Sequence, residues 1–329
     1  MTTTAQDVET PLQHKQARRW HVRDYGILVG LVAIIIYLSV TTSTFLTGAN
    51  LANVLDQAVV VGLLACGATL CIVSGVFDLT ASATLALAAI IGVKATGQFG
   101  VLGGFVVAVL AGALLGGLTG TIVVRSGVNS FIATLAIAIV YRGLAVVITA
   151  GAIASPLADQ LTGFQVFTRH LGVGGITNAT VVLIIVVILT GVLLSRTTFG
   201  RRVYAVGGNT EAARLSGIRV GQVHIAVYMV SGICSALAGL VLASQAGSAQ
   251  ASLATGMELS AIAAAIIGGT SVLGGEGAIW RGMIGVLMLT LIANGFNLLG
   301  WDTTYQQVVQ GCLILIAVTV DRYLRRRNA

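Results

Sequence analysis

The stretch TTFGRRVYAVGGNTEAARLSGIRV (Thr197–Val220) separates two long apolar runs, and its reading decides the fold. Arg201 and Arg202 come first, then the glycines Gly207 and Gly208, then Asn209 through Gly217. That order reads as a turn, an N-cap, one or two helical turns and a closing glycine. An Asn side chain satisfies free amides at a helix start, and Gly adopts the left-handed conformation that ends a helix. Glu211, Ala212, Arg214 and Leu215 fall on this predicted short helix. So polar a segment between runs of spanning length has to lie outside a bilayer, where it offers a surface for another protein to push against.

Outward from this stretch the chain is 56% hydrophobic and only 9% charged, with mean hydropathy +0.97. Soluble domains carry roughly a quarter of their residues as charges, so that class is excluded. Apolar runs of spanning length recur, and the fold class is an all-α polytopic membrane protein. The net charge of +7 does not indicate nucleic acid, because the basic residues cluster where topology requires them. Lys15, Arg18, Arg19 and Arg23 precede the first run, Arg322, Arg325, Arg326 and Arg327 follow the last, and Arg196, Arg201, Arg202, Arg214 and Arg219 surround the polar interruption. The positive-inside rule places all three clusters in the cytoplasm, beside lipid headgroups.

About ten spans are expected: Gly26–Leu46, Asn53–Ser74, Leu79–Thr96, Leu102–Val124, Phe131–Ala150, Ile176–Ser195, Val223–Ser244, Leu259–Val272, Trp280–Leu298 and Tyr305–Val320. They form a permease-like domain over 26–322, with a cytoplasmic tail at 1–25, a cytoplasmic loop at 197–221 and a basic cytoplasmic tail at 323–329. The even count leaves both termini inside a bacterial inner membrane.

Two spans are short and interrupted by glycine, the one opening at Asp78 after Gly75 and the one opening at Glu258. Asp78-Leu79-Thr80-Ala81 leading to Ala88-Ala89-Ile90-Ile91-Gly92 is echoed by Glu258-Leu259-Ser260-Ala261 leading to Ala264-Ala265-Ile266-Ile267-Gly268. Short, broken spans at matching places in two halves, five spans apart, predict an inverted repeat with broken helices around a translocation route. Two readings of Asp78 and Glu258 stay open, a helix-capping carboxylate or a solute contact. Asn294 and Asn297, three residues apart, and Gln306, Gln307 and Gln310 are polar residues in apolar surroundings. Their amides suit a polyhydroxylated solute or hydrogen bonds between helices.

The sequence has no GxxxxGK[ST] phosphate loop, no HExxH and no GxSxG, so a pump would take its ATPase from another chain. Cys66, Cys71, Cys234 and Cys312 lie in apolar runs without CxxC spacing, and the four histidines are scattered, so no metal site is expected.

Several blocks together carry a family resemblance. They are Gly75-Val76-Phe77-Asp78-Leu79-Thr80, Phe131-Ile132-Ala133-Thr134-Leu135, Tyr141-Arg142-Gly143-Leu144, Phe199 through Asn209, Ala212 through Ile218, and Ala263 through Ser271. In order and content they resemble the permease subunits of bacterial ribose-type sugar ABC importers. The resemblance implies ten-helix permeases that work as a pair, as two copies or with a similar permease. It also implies ATP-binding partner subunits, or one fused tandem ATPase, holding ATP and magnesium, and a periplasmic sugar-binding protein. It makes the block from Gly208 to Ile218 the coupling helix, with Arg201, Arg202, Gly207 and Glu211 beside or on it. Phe77, Asp78, Thr80, Phe131, Thr134, Glu258, Asn294 and Asn297 are the expected route residues. Relatives usually read GGIDLS where this chain has Gly75 through Thr80, and Asn129-Ser130 stands where prolines are common, which leaves the sugar open. The alternative is a self-sufficient secondary transporter or facilitator.

Overall fold

The computed structural model describes residues 22–168 and 176–302, with scattered positions between 305 and 319. Most of the expected tail at 1–25, the basic residue Arg169, most of the tenth span with Gln307 and Gln310, and the tail at 323–329 lie outside the described residues. The helices are α1 (Val22–Thr41), α2 (Gly48–Val73), α3 (Ala81–Ser126), α4 (Ser130–Thr149), α5 (Leu161–Phe164), α6 (Asn178–Arg196), α7 (Thr198–Gly208), α8 (Thr210–Leu215), α9 (Val220–Ala246), α10 (Met257–Ile267) and α11 (Ile279–Leu298). A 3-10 turn at Gln165–Thr168 follows α5. Six of these helices are long and apolar enough to cross a membrane, α2, α3, α4, α6, α9 and α11. The protein is therefore an all-α, multi-pass membrane protein.

The hub is α2. Thr47 starts it, its Oγ1 accepting from the Asn50 amide at 3.3 Å. Its most apolar window is 83% buried inside the protein, against 22% for α4. That difference separates a central helix, ringed by α6, α9, α10 and α11, from a peripheral one. The peripheral helix turns Ile132, Ile139, Val140 and Val147 outward, where acyl chains solvate them.

Gly100 breaks α3 at φ 68°, ψ 177°, values only glycine reaches without strain. The two arms fold back on each other there: a Cβ on Gly104 would stand 2.7 Å from the Gly92 carbonyl, twelve residues earlier. In a straight helix those residues would be about 18 Å apart. The second arm sorts its residues by fours. Leu102, Val106, Leu110, Leu114 and Leu118 face outward, whereas Gly104, Ala108, Gly112, Gly116 and Gly120 face inward. A Cβ on Gly112 would lie 2.4 Å from the Gly232 carbonyl, and one on Gly116 only 2.2 Å from that of Tyr228. Backbones thus meet directly between α3 and α9, the close approach that small residues permit where no water drives association.

Polar side chains tie the remaining elements. Asp56 on α2 accepts from Thr177 at 2.5 Å and Thr180 at 3.1 Å, fixing the start of α6. The loops after α4 and α9 exchange two backbone hydrogen bonds between Ala154 and Ala249.

Candidate functional site

The polar interruption folds as two helices rather than one. α8 follows the expected order: Asn209 caps it, its Oδ1 accepting from the Ala212 amide at 2.9 Å, and Gly217 ends it at φ 82°. Upstream, where a turn was expected, Thr198–Gly208 is helical. Thr197 caps it through the Gly200 amide, and Val203 and Val206 are buried while Arg201 and Arg202 are exposed. On α8 only Ala213 is buried; Glu211, Ala212, Arg214 and Leu215 are exposed, Leu215 by 81%. Glu211 and Arg214 bond each other at 2.6 Å, and that carboxylate holds the guanidinium above its usual range. Beside them a groove of about 510 Å³ is lined by Phe199, Arg202, Ile218, Arg219 and Val223.

Both glycines of the pair are helical rather than in a turn, and Gly207 serves close approach. A Cβ on Gly207 would lie 1.9 Å from the Val73 carbonyl and 2.7 Å from the Gly275 amide, so α7 rests directly on the end of α2 and on the loop before α11. Gly274, at φ 86°, packs against the Gly207 carbonyl and the Gly75 backbone, and the Gly275 amide donates to Val73 at 2.9 Å. The Tyr204 hydroxyl donates to the Gly277 carbonyl at 2.7 Å. α7 is thereby joined to two non-helical segments at once.

The first of these segments, 74–80, runs between α2 and α3; the Ser74, Gly75 and Val76 amides still donate back to carbonyls of α2, but Phe77, Asp78 and Leu79 make no helical hydrogen bonds. Side chains replace them. The Phe77 amide donates to Ser130 Oγ (3.1 Å) and the Leu79 amide to Thr134 Oγ1 (3.2 Å); the Phe77 carbonyl accepts from Tyr228 (2.8 Å). Asp78 Oδ1 accepts from the Thr80 amide and hydroxyl, at 2.9 and 2.5 Å, and Oδ2 from Ser231 at 2.6 Å. Non-helical backbone persists at membrane depth only when satisfied in this manner. Phe77, Asp78, Thr80, Phe131 and Thr134 are therefore brought together, Phe77 edge-on to Phe131 with ring centroids 6.4 Å apart.

Glu258 lies in the first turn of α10, with Oε2 buried and unbonded. It lies within electrostatic reach of both Asp78 and Arg142. Asn294 and Asn297 are not brought to this place. Asn294 is buried in a reciprocal amide pair with Asn50, at 2.8 and 3.1 Å, which fastens α11 to α2. Asn297 is exposed near the end of α11.

Two contributors escaped the sequence reading. Arg142 entered only as part of the block Tyr141-Arg142-Gly143-Leu144, with no role assigned, yet its Nη1 donates to the carbonyls of Ala251 and Leu253 and its Nη2 to Ser82. The hydroxyls Ser130 and Ser231 hold the 74–80 segment, and nothing in their spacing distinguishes them from packing residues. Among the described residues no group of three or more His, Cys, Asp or Glu could hold a metal ion.

Residues 50–318 match the family model described as branched-chain amino acid transport system / permease component. The ribose import permease protein RbsC of Bacillus subtilis is 41% identical over 301 residues, covering 90% of this chain and 92% of the relative. Its counterpart in Escherichia coli K12 is 38% identical, covering 89% and 92%. The xylose transport system permease protein XylH of Escherichia coli K12 is 31% identical, covering 92% and 93%. No solved structure matches. The family match takes in α7, α8 and both non-helical segments, and the chain belongs to the branched-chain amino acid transport system / permease component family.

Proposed function

We propose that this protein is the membrane permease of an ATP-binding-cassette importer that moves an aldose or a similar polyhydroxylated solute inward by alternating access. The observation that carries the reading is the Gly207 contact. It joins the exposed helix α8 through α7 to the segments 74–80 and 268–278, which are the places where the spans are broken. The ribose and xylose permeases among the relatives supply the solute class.

In this mechanism partner ATPases, holding ATP and magnesium, close against Arg201, Arg202, Asn209, Glu211, Ala212, Arg214, Leu215 and Gly217. α7 and α8 then move as a rigid body, and the displacement reaches Gly75 and Gly274 without a flexible intermediary. The chain makes ten crossings as an inverted repeat, in which the first arm of α3 and α10 are counterparts. Both termini lie in the cytoplasm, a second permease copy or a similar permease completes the pore, and a periplasmic sugar-binding protein delivers the solute.

The test is uptake of D-ribose and D-xylose by reconstituted vesicles, with and without the ATPase. Uptake is expected only with ATPase and ATP. Exchanging the charges on α8, Glu211→Arg together with Arg214→Glu, preserves their mutual bond but reverses what the partner meets. We expect that variant to release the ATPase from the membrane or to hydrolyse ATP without transport. Uptake at full rate without any ATPase would establish the facilitator reading instead.

A further inference from the structure

α3 and α10 touch, both begin from non-helical segments, and Arg142 bonds residues beside the start of each. Its guanidinium bonds Ser82 in the first turn of α3 at 3.0 Å and Leu253 at 2.8 Å, and it also bonds the Ala251 carbonyl. Three of its five N–H donors are thereby used. Glu258, in the first turn of α10, is close enough for its charge to act on Arg142, yet the two form no hydrogen bond and Glu258 Oε2 is buried without a partner. On α3, two residues beyond Ser82, the Thr84 hydroxyl is also buried and unbonded, at 1% exposure.

A buried carboxylate oxygen without a donor is destabilising, and the remedy nearest at hand, an ion pair with Arg142, is not taken. The guanidinium is instead held back by three acceptors. What remains is a buried acceptor on Glu258, five residues after the Leu253 carbonyl that Arg142 bonds, and two N–H donors of Arg142 still unused. We infer that Arg142, Ser82 and Glu258 form a binding centre for adjacent hydroxyls of a neutral polyol or aldose, beside the starts of α3 and α10. One solute hydroxyl donates to Glu258 Oε2 and its neighbour accepts from Arg142. An alkyl solute satisfies neither side, and a purely anionic one has no donor for Glu258. This inference rests on the import reading above and adds residues that the solute would touch.

The distinguishing variant is Glu258→Ala, because Oε2 has no native hydrogen bond to lose. A purely structural Glu258 predicts equal or higher thermal stability and unaltered transport, since an uncompensated buried charge is removed. The binding centre predicts equal or higher stability together with an about 10- to 100-fold fall in sugar moved per ATP hydrolysed, the worth of one hydrogen bond to a charged group. Glu258→Gln, which keeps an acceptor, should recover part of that fall. The assay uses the full complex in vesicles with radiolabelled D-ribose and D-xylose and saturating delivery protein, alongside thermal unfolding. If wild type moves neither sugar, the import reading fails and the binding centre falls with it. If wild type transports and Glu258→Ala does so with the same yield per ATP, the binding centre is refuted while the import reading stands.

Discussion

Gly207 and Gly208 are neighbours in one helix, yet an added methyl group should have opposite consequences at the two positions. At Gly207 the Cβ would sit 1.9 Å from the Val73 carbonyl oxygen and 2.7 Å from the Gly275 amide nitrogen, both backbone atoms that cannot rotate away. Relief requires α7 to lift by more than an ångström. Overpacking of this kind costs about 1–3 kcal/mol, and losing the hydrogen bond from Gly275 to Val73 adds about 1 kcal/mol. Gly207→Ala should therefore weaken the joint by about 2–4 kcal/mol. At Gly208 the nearest atom to a new Cβ is 4.0 Å away and the residue is helical, so Gly208→Ala should gain up to about 1 kcal/mol of helix stability. The assay is sugar-stimulated ATP hydrolysis and uptake by the reconstituted complex, with ATPase retention on the membrane as a control. Gly207→Ala should keep the ATPase bound, because the exposed face of α8 is unchanged, while lowering uptake per ATP. Coupling that survives Gly207→Ala, or fails equally in Gly208→Ala, would refute the idea that movement passes through this contact.

Tyr204→Phe removes the hydrogen bond to the Gly277 carbonyl and should cost about 1 kcal/mol of thermal stability. Burial, against the opposing pull of Arg281, raises the Tyr204 hydroxyl above its ordinary value. A raised acid favours the protonated folded state, so its contribution is intact below pH about 10 and fades as pH climbs through the higher folded value. That alkaline loss, followed by unfolding scans, should shrink in Tyr204→Phe, and an unaltered profile would count against it. Asn294→Leu leaves the buried Asn50 Oδ1 without a donor, while Asn50 Nδ2 keeps the Phe45 carbonyl, and should cost about 1–3 kcal/mol, whereas Asn297→Leu on the exposed face should stay within about 0.5 kcal/mol. Equal melting temperatures for these two variants would contradict the pairing.

Local chemistry was the legible part of the sequence. Asn209 and Gly217 announced the ends of α8 because caps act on their immediate neighbours, and Gly75 with Asp78 marked the break before α3. The membrane class followed from composition. Contacts between distant residues left no such trace. Gly207 and Gly208 resemble any turn pair, and only the positions of Val73 and Gly275 explain Gly207; the spacing of Phe199, Val203 and Val206 by four and three was the available sign that α7 is helical. Gly100, one of 42 glycines, differs from the packing rows only in its backbone angles. Asn50 and Asn294 are separated by 244 positions, and neither alone indicates whether its amide meets solute or another helix.

The shortness of α10 bears on how the protein is made. Eleven residues extend about 16 Å, roughly half of a hydrocarbon core near 30 Å thick, so Met257–Ile267 cannot be threaded into lipid as an independent segment. The non-helical residues before it would also carry bare amides and carbonyls into the bilayer if they entered alone. Those groups become acceptable only once α10 packs on α11 and α2 and the Arg142 guanidinium reaches Ala251 and Leu253. α10 and the residues before it are therefore expected to settle in the bilayer together with α11, against α2 and the Arg142 of α4. Biogenesis, and not transport alone, thus constrains which residues these elements can accept.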